Sequence, residues 1–147
     1  MVNKIKNQYN IKVGDIFYTD RRWGIHGHFI QFYQVVALEE ENKIVIKEIE
    51  LKVESVKEKE RFKIYSVIPL KDKFKEESNF ITDNNIGVTK QLEKGLDSSE
   101  DILYINIGRI TYRDTNREPL TIYGYLWDGT PKEHFSDLYK YINLDKI

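Results

Sequence analysis

Apolar and polar residues alternate along most of this chain in short runs separated by charged or glycine-containing turns, the period of half-buried β-strands. Lys12 to Thr19 reads as a first strand, entered through a Gly14-Asp15 turn, and Arg21 to Gly27 follows as a loop with two glycines. His28 to Leu38 carries Phe29, Ile30, Phe32, Tyr33, Val35, Val36 and Leu38, apolar on both faces, as a central strand is. From Lys43 to Glu54 the pattern changes phase. Ile44 and Ile46 occupy even positions, whereas Ile49, Leu51 and Val53 occupy odd ones, so a β-bulge or sharp bend near Lys47-Glu48 is expected to restore one inward face. Arg61 to Ile68 alternates again and is expected to end at Pro69, which cannot donate to a ladder.

Lys71 to Asp101 is polar and weakly patterned, a polar insertion with the freedom to move. It has room for a hairpin turning at Asp83-Asn84-Asn85, or for a helical turn from Val88 to Leu92 stopped by Gly95. Ile102 to Tyr112 and Leu120 to Trp127 return to strand around a charged turn. After Asp128-Gly129, Thr130-Pro131-Lys132-Glu133 combines a capping hydroxyl, proline at the first helical position and glutamate three after the cap. Phe135, Leu138, Tyr139 and Ile142 follow at helical spacing, which predicts a C-terminal amphipathic helix packed on the sheet, with Trp127 largely buried beneath it. The fold class is therefore mainly β (α+β): a strongly bent antiparallel sheet or small barrel of about six strands with one C-terminal helix, a single domain over residues 1–147.

Composition narrows the function classes. The 147 residues include no cysteine, which excludes thiolate metal sites and cysteine nucleophiles and fits a reducing, cytoplasmic setting. No apolar run approaches a membrane span, and the N-terminal residues do not read as a secretion signal, so no membrane partner is expected. With 23 basic and 24 acidic side chains the net charge is −1, which disfavours bulk nucleic acid as a partner. The 10 tyrosines, 7 phenylalanines and 2 tryptophans suit strands and binding surfaces equally, and composition does not separate the two uses.

Gly14-Asp15-Ile16-Phe17, Trp23-Gly24, Phe32-Tyr33-Gln34-Val35-Val36, Pro69 with Lys71 and Phe74, and Tyr125-Leu126-Trp127-Asp128-Gly129-Thr130-Pro131 occur in an order that resembles a family of small uncharacterised proteins carried by bacteriophages, plasmids and related mobile elements. The likeness covers most of the chain in scattered pieces. It departs at Ile25-His26-Gly27-His28, where the family has a polar stretch, and in the length of the Lys71 to Asp101 region. The resemblance implies a mobile-element cargo protein and no particular reaction. By analogy with such cargo, a host-defence protein is the implied partner.

Candidate chemistry concentrates in two places. Arg21, Arg22, Trp23, His26 and His28 gather charged and aromatic groups in and beside one glycine-containing loop, the segment expected to carry binding. Trp23 is read equally as a plug packed into one end of the fold. Arg109 and Arg113 share a strand face if the strand runs that far, and with the first set they suit a nucleotide-like or other phosphate-bearing ligand, with Trp23 or Tyr112 available to stack a base. His26, His28 and the distant His134, with Asp15 or Asp128, form the one combination resembling a metal site. Exposed histidines flanking a turn explain it more simply, so no metal or other cofactor is expected. Asp128 and Gly129 read as turn formers. Nucleophile elbows and phosphate-cradling glycine loops are missing from the sequence. The expected function is a non-enzymatic binding protein inhibiting a host protein, with a nucleotide-like ligand as the alternative and a metal-dependent hydrolase behind it.

Overall fold

The computed structural model of the protein describes residues 7–22, 27–58, 63–76, 87–95, 102–110 and 120–136. They form one antiparallel sheet of nine strands: β1 (Ile16–Arg22), β2 (Gly27–Glu39), β3 (Lys43–Glu58), β4 (Lys63–Phe74), β5 (Val88–Gln91), β6 (Glu93–Lys94), β7 (Leu103–Ile110), β8 (Leu120–Leu126) and β9 (Lys132–Ser136). Its order is β5-β3-β4-β9-β2-β1-β8-β7-β6, with β2 and β3 also paired. The sheet is thus mainly β and strongly branched, with more strands than the six or so expected, and its hydrogen bonding does not close it into a barrel.

The phase change in β3 is real, and no bulge cancels it. Phe32, Tyr33, Gln34 and Val35 pair in unbroken register with Ile49, Glu48, Lys47 and Ile46, the β2–β3 irregularity lying instead between Val35 and Ala37. Each parity therefore feeds its own core. Ile44 and Ile46 join Phe17, Tyr33, Val35, Leu92, Ile105, Ile107 and Ile122 on one face, while Ile49 and Leu51 join Ile16, Ile30, Phe32 and Val67 on the other. β2 lies between them, apolar on both sides, as its sequence requires.

Beyond Ile49, β3 leaves β2 and pairs with β4, which opens a fork. β9 fills it, pairing with β2 at Gly27 and His28 and with β4 from Ile64 to Val67. The expected helix is therefore corrected: residues 132–136 are strand, and 137–142 lie outside the described residues. Two facing strand edges with unmet backbone groups outweigh the local capping signal. Thr130 does not cap a helix either, because its amide and hydroxyl both donate to Asp128.

Two smaller expectations change. Pro69 does not end β4 but pairs opposite Leu51, whereas Phe74 pairs opposite Ile49, so residues 70–73 bulge out against Glu50 alone. Val88 to Gln91 is strand, not a helical turn, because its backbone is taken up by β3. The expected 83–85 hairpin lies outside the described residues. β5 and β6 are separated only by Leu92 and pair with β3 and β7 respectively. Above that pivot the β5–β7 seam is crossed by a side chain: Lys90 Nζ donates to the Ile107 carbonyl at 2.8 Å, and its burial lowers the lysine's pKa.

Gly124 faces Ile105 in the β7–β8 ladder, where an added Cβ would lie 3.1 Å from Ile105 Cγ1 and 3.3 Å from Ile107 Cγ1. Both isoleucines are fully buried, so neither has room to yield. Gly124→Ala is expected to lower stability by about 1–2 kcal/mol through overpacking, read as a lower urea midpoint with unchanged slope. An unchanged midpoint would show that this layer is looser than its spacing indicates.

Candidate functional site

Of the residues singled out from sequence for binding, those that are described belong to three strands, β1, β2 and β7. Trp23, His26 and Arg113 lie outside the described residues, as does Tyr112. Arg21 and Arg22 are placed by their backbones at the end of β1, opposite Phe29 and His28 of β2. Arg109 belongs to β7, opposite Thr121 of β8. These are separate parts of the sheet order, with β8 and β1 between Arg109 and β2.

His134 has a structural duty. It is buried, and its Nδ1 accepts the Ile30 amide at 3.0 Å, at the point where β2 passes from its β9 ladder to its β3 ladder. The ring stands edge-on to Phe29, with centroids 5.6 Å apart. An Nδ1 that accepts a hydrogen bond carries no proton, so this imidazole is the neutral Nε2–H tautomer. The carboxylates considered beside it are also engaged, Asp15 with the Lys12 amide and Asp128 within its turn.

The Trp127 to Lys132 segment folds back on itself. Asp128 Oδ1 accepts from the Thr130 amide at 3.0 Å, the Thr130 hydroxyl at 2.6 Å and Lys132 Nζ at 3.1 Å, which holds its carboxyl well below the usual carboxylate range. Gly129 sits at φ 88°, a left-handed conformation costly for other residues. Trp127 Nε1 donates to the Thr130 carbonyl at 2.7 Å, and its ring meets Phe32 edge-on at 6.1 Å. Trp127 is partly buried against the core of Phe32, Ile49 and Val67.

What sequence reasoning missed is a tyrosine face. Tyr125 of β8 pairs with Tyr18 of β1 on one side and Tyr104 of β7 on the other, so three tyrosines form a row across adjacent strands. Tyr123 lies two residues along the same face of β8, and Trp127 two residues in the other direction, while the intervening Ile122 and Gly124 point into the inner core. Tyr18 and Tyr125 are 6.1 Å apart, and Tyr104 and Tyr123 meet edge-on at 5.4 Å. Lys132 Nζ sits 4.6 Å from the centre of the Tyr18 ring. All four tyrosines are partly exposed. The alternation Tyr123-x-Tyr125-x-Trp127 was visible in the sequence, but its neighbours in β1 and β7 were not, because register is a tertiary property.

A buried polar pair lies on the inner face. Glu48, 1% exposed, stands opposite Tyr33 and accepts from Lys75 Nζ at 3.0 Å, while the Lys75 amide donates to the Glu48 carbonyl at 3.1 Å. In comparisons with family models, curated proteins and solved structures, nothing matches this chain.

Lys75→Met is expected to cost about 2 kcal/mol, since it strips a buried carboxylate of a charged partner that is itself partly solvated. Lys43→Met, which removes the exposed Lys43–Glu41 pair, should cost less than about 0.5 kcal/mol. Equal losses in chemical denaturation would contradict the buried role of Glu48. Asp128 supplies a pH-dependent check. A carboxyl depressed in the folded state contributes stability that is present above its unfolded pKa and lost as pH falls through the folded one. The advantage of the native chain over Asp128→Asn should therefore shrink as pH drops below about 4, and a constant difference would show that the charge is immaterial.

Proposed function

We propose that this chain is a non-enzymatic binding protein that occupies a protein partner through the tyrosine face of β1, β8 and β7. The Tyr18–Tyr125–Tyr104 row carries the reading. Tyrosine combines a large apolar ring with a polar tip and few rotatable bonds, which is why it is enriched where proteins meet. The tyrosines stand on one face of a sheet, whereas small-molecule sites are mostly concave. The resemblance to mobile-element proteins supports a host-defence protein as that partner, and the lack of cysteine supports a cytoplasmic setting.

The finer form of the fold belongs to the same proposal. Residues 88–94 reach β3 through β5 and β7 through β6, which supports a six-stranded barrel of β1, β2, β3, this segment, β7 and β8. All six contribute to the core containing Phe17, Tyr33, Ile44, Leu92, Ile105 and Ile122. In such a barrel strand edges are consumed internally, leaving docking to side chains. A nucleotide-like ligand is the second reading, favoured by the register that sets Arg109 on the ladder beside the Asn106–Tyr123 pair.

Capture from bacterial lysate with the tagged protein and with a Tyr104→Ala, Tyr123→Ala double variant tests the reading. The expected result is one stoichiometric protein retained by the native chain and weakened at least about tenfold by the variant, as for central aromatic contacts, with folding preserved. Retention by the variant, or release of a bound nucleotide on denaturing the purified protein with no protein captured, would replace this reading.

A further inference from the structure

The residues 70–73 that bulge from β4 are held in place by an unusual anchor. Gln34 of β2 is 3% exposed and spends both ends of its amide on Asp72, donating from Nε2 to Oδ1 at 2.8 Å and accepting the Asp72 amide on Oε1 at 2.7 Å. Asp72 has φ 68°, a left-handed conformation that a non-glycine residue keeps only when its surroundings enforce it. A bulge of this kind in a strand re-aims side chains. Here Lys71, Lys73 and Phe74 are exposed.

Further lysines converge on the same place. Lys47 pairs with Gln34 in the β2–β3 ladder and sets its Nζ 5.7 Å from the centre of the Phe74 ring. The Lys71 ammonium lies against Gly14, 3.1 Å from where a Cβ would stand, and exposed Lys12 opens the same turn. Among the described residues Lys12, Lys47, Lys71 and Lys73 form no ion pair, unlike Lys43, Lys63, Lys75 and Lys132. Two carboxylates lie among them, Asp72 bonded to the Gln34 amide and Asp15 to the Lys12 amide, so the lysines are in excess. A buried glutamine thus fixes a bulge that gathers lysines without an ion pair among the described residues, on a protein whose net charge is −1.

We infer that this cluster is a docking surface for an acidic segment of a protein partner, an inference that rests on the protein-binding reading and adds a second patch to it. The two patches share one side of the sheet: Gln34 pairs with Ile16, whose carbonyl accepts the Trp127 amide, beside the tyrosine row. The charge complementarity is with carboxylates carried on a polypeptide. A nucleic acid's affinity depends on many phosphate contacts made together, more than four lysines supply.

The probe is a short fluorescent polyglutamate peptide, titrated at low and at physiological salt, with a thymidine oligonucleotide of equal charge as competitor. Native protein should bind the peptide at low salt and weaken as salt screens the contact. Lys71→Ala with Lys73→Ala should reduce that affinity by roughly three- to tenfold, the scale of two exposed charge contacts. Gln34→Ala, which keeps every lysine but frees the bulge, should also reduce it, whereas a merely solvated set of lysines would be indifferent to that change. Should Gln34→Ala fail to fold, Gln34→Met serves instead, since it keeps the length of the side chain and every charge while removing both bonds to Asp72. Lys52→Ala with Lys57→Ala, exposed lysines of β3 outside the cluster, should leave peptide affinity unchanged, and because the titration does not involve the tyrosines, failure of the tyrosine reading and failure of this one are read separately. Absence of peptide binding at low salt, equal binding by the lysine variant, or preference for the oligonucleotide overturns the proposal.

Discussion

The change of apolar parity within β3 is the constraint on which the rest of the architecture depends. Ile44 and Ile46 on one side and Ile49 and Leu51 on the other oblige a single strand to serve two cores. A strand can do so only if it has different company along its length, because a cross-strand neighbour shares the face of its partner. β3 accordingly pairs with β2 and β5 in its first half and with β4 in its second. The fork this leaves between β2 and β4 is what draws residues 132–136 into the sheet.

Where strands diverge, side chains complete the hydrogen bonding that backbones cannot. His134 takes the Ile30 amide between two ladders of β2, Lys90 takes the Ile107 carbonyl across the β5–β7 seam, and Gln34 secures the bulge at Asp72. A buried backbone group without a partner costs as much as a lost hydrogen bond, so these contacts are conditions of the topology. They also assign several polar residues, among them a histidine suggestive of metal chemistry, to structural work.

With the seam spanned by Lys90 and the fork filled by β9, faces rather than edges carry the prominent groups. Lysines and bulges are common means of blocking pairing between molecules. The tyrosine row and the lysine cluster differ in kind, the first apolar with polar tips, the second rich in exposed lysine.

The sequence alone determined the β class, the positions of most strands, the two-sided burial of β2 and the turn at Asp128-Gly129, because each is written in local periodicity or in a residue's own conformational preference. It also displayed the parity change in β3, although its meaning, two cores rather than one bulge, required the neighbours. Only the tertiary structure decided that Thr130-Pro131-Lys132-Glu133 opens onto a strand, since the capping signal is local while the edges that override it come from β2 and β4. The same holds for both candidate surfaces. Tyr18, Tyr104 and Tyr125, like Gln34, Lys47 and Asp72, are distant in the chain and adjacent in the sheet, and register, which joins them, is set by the packing of whole strands.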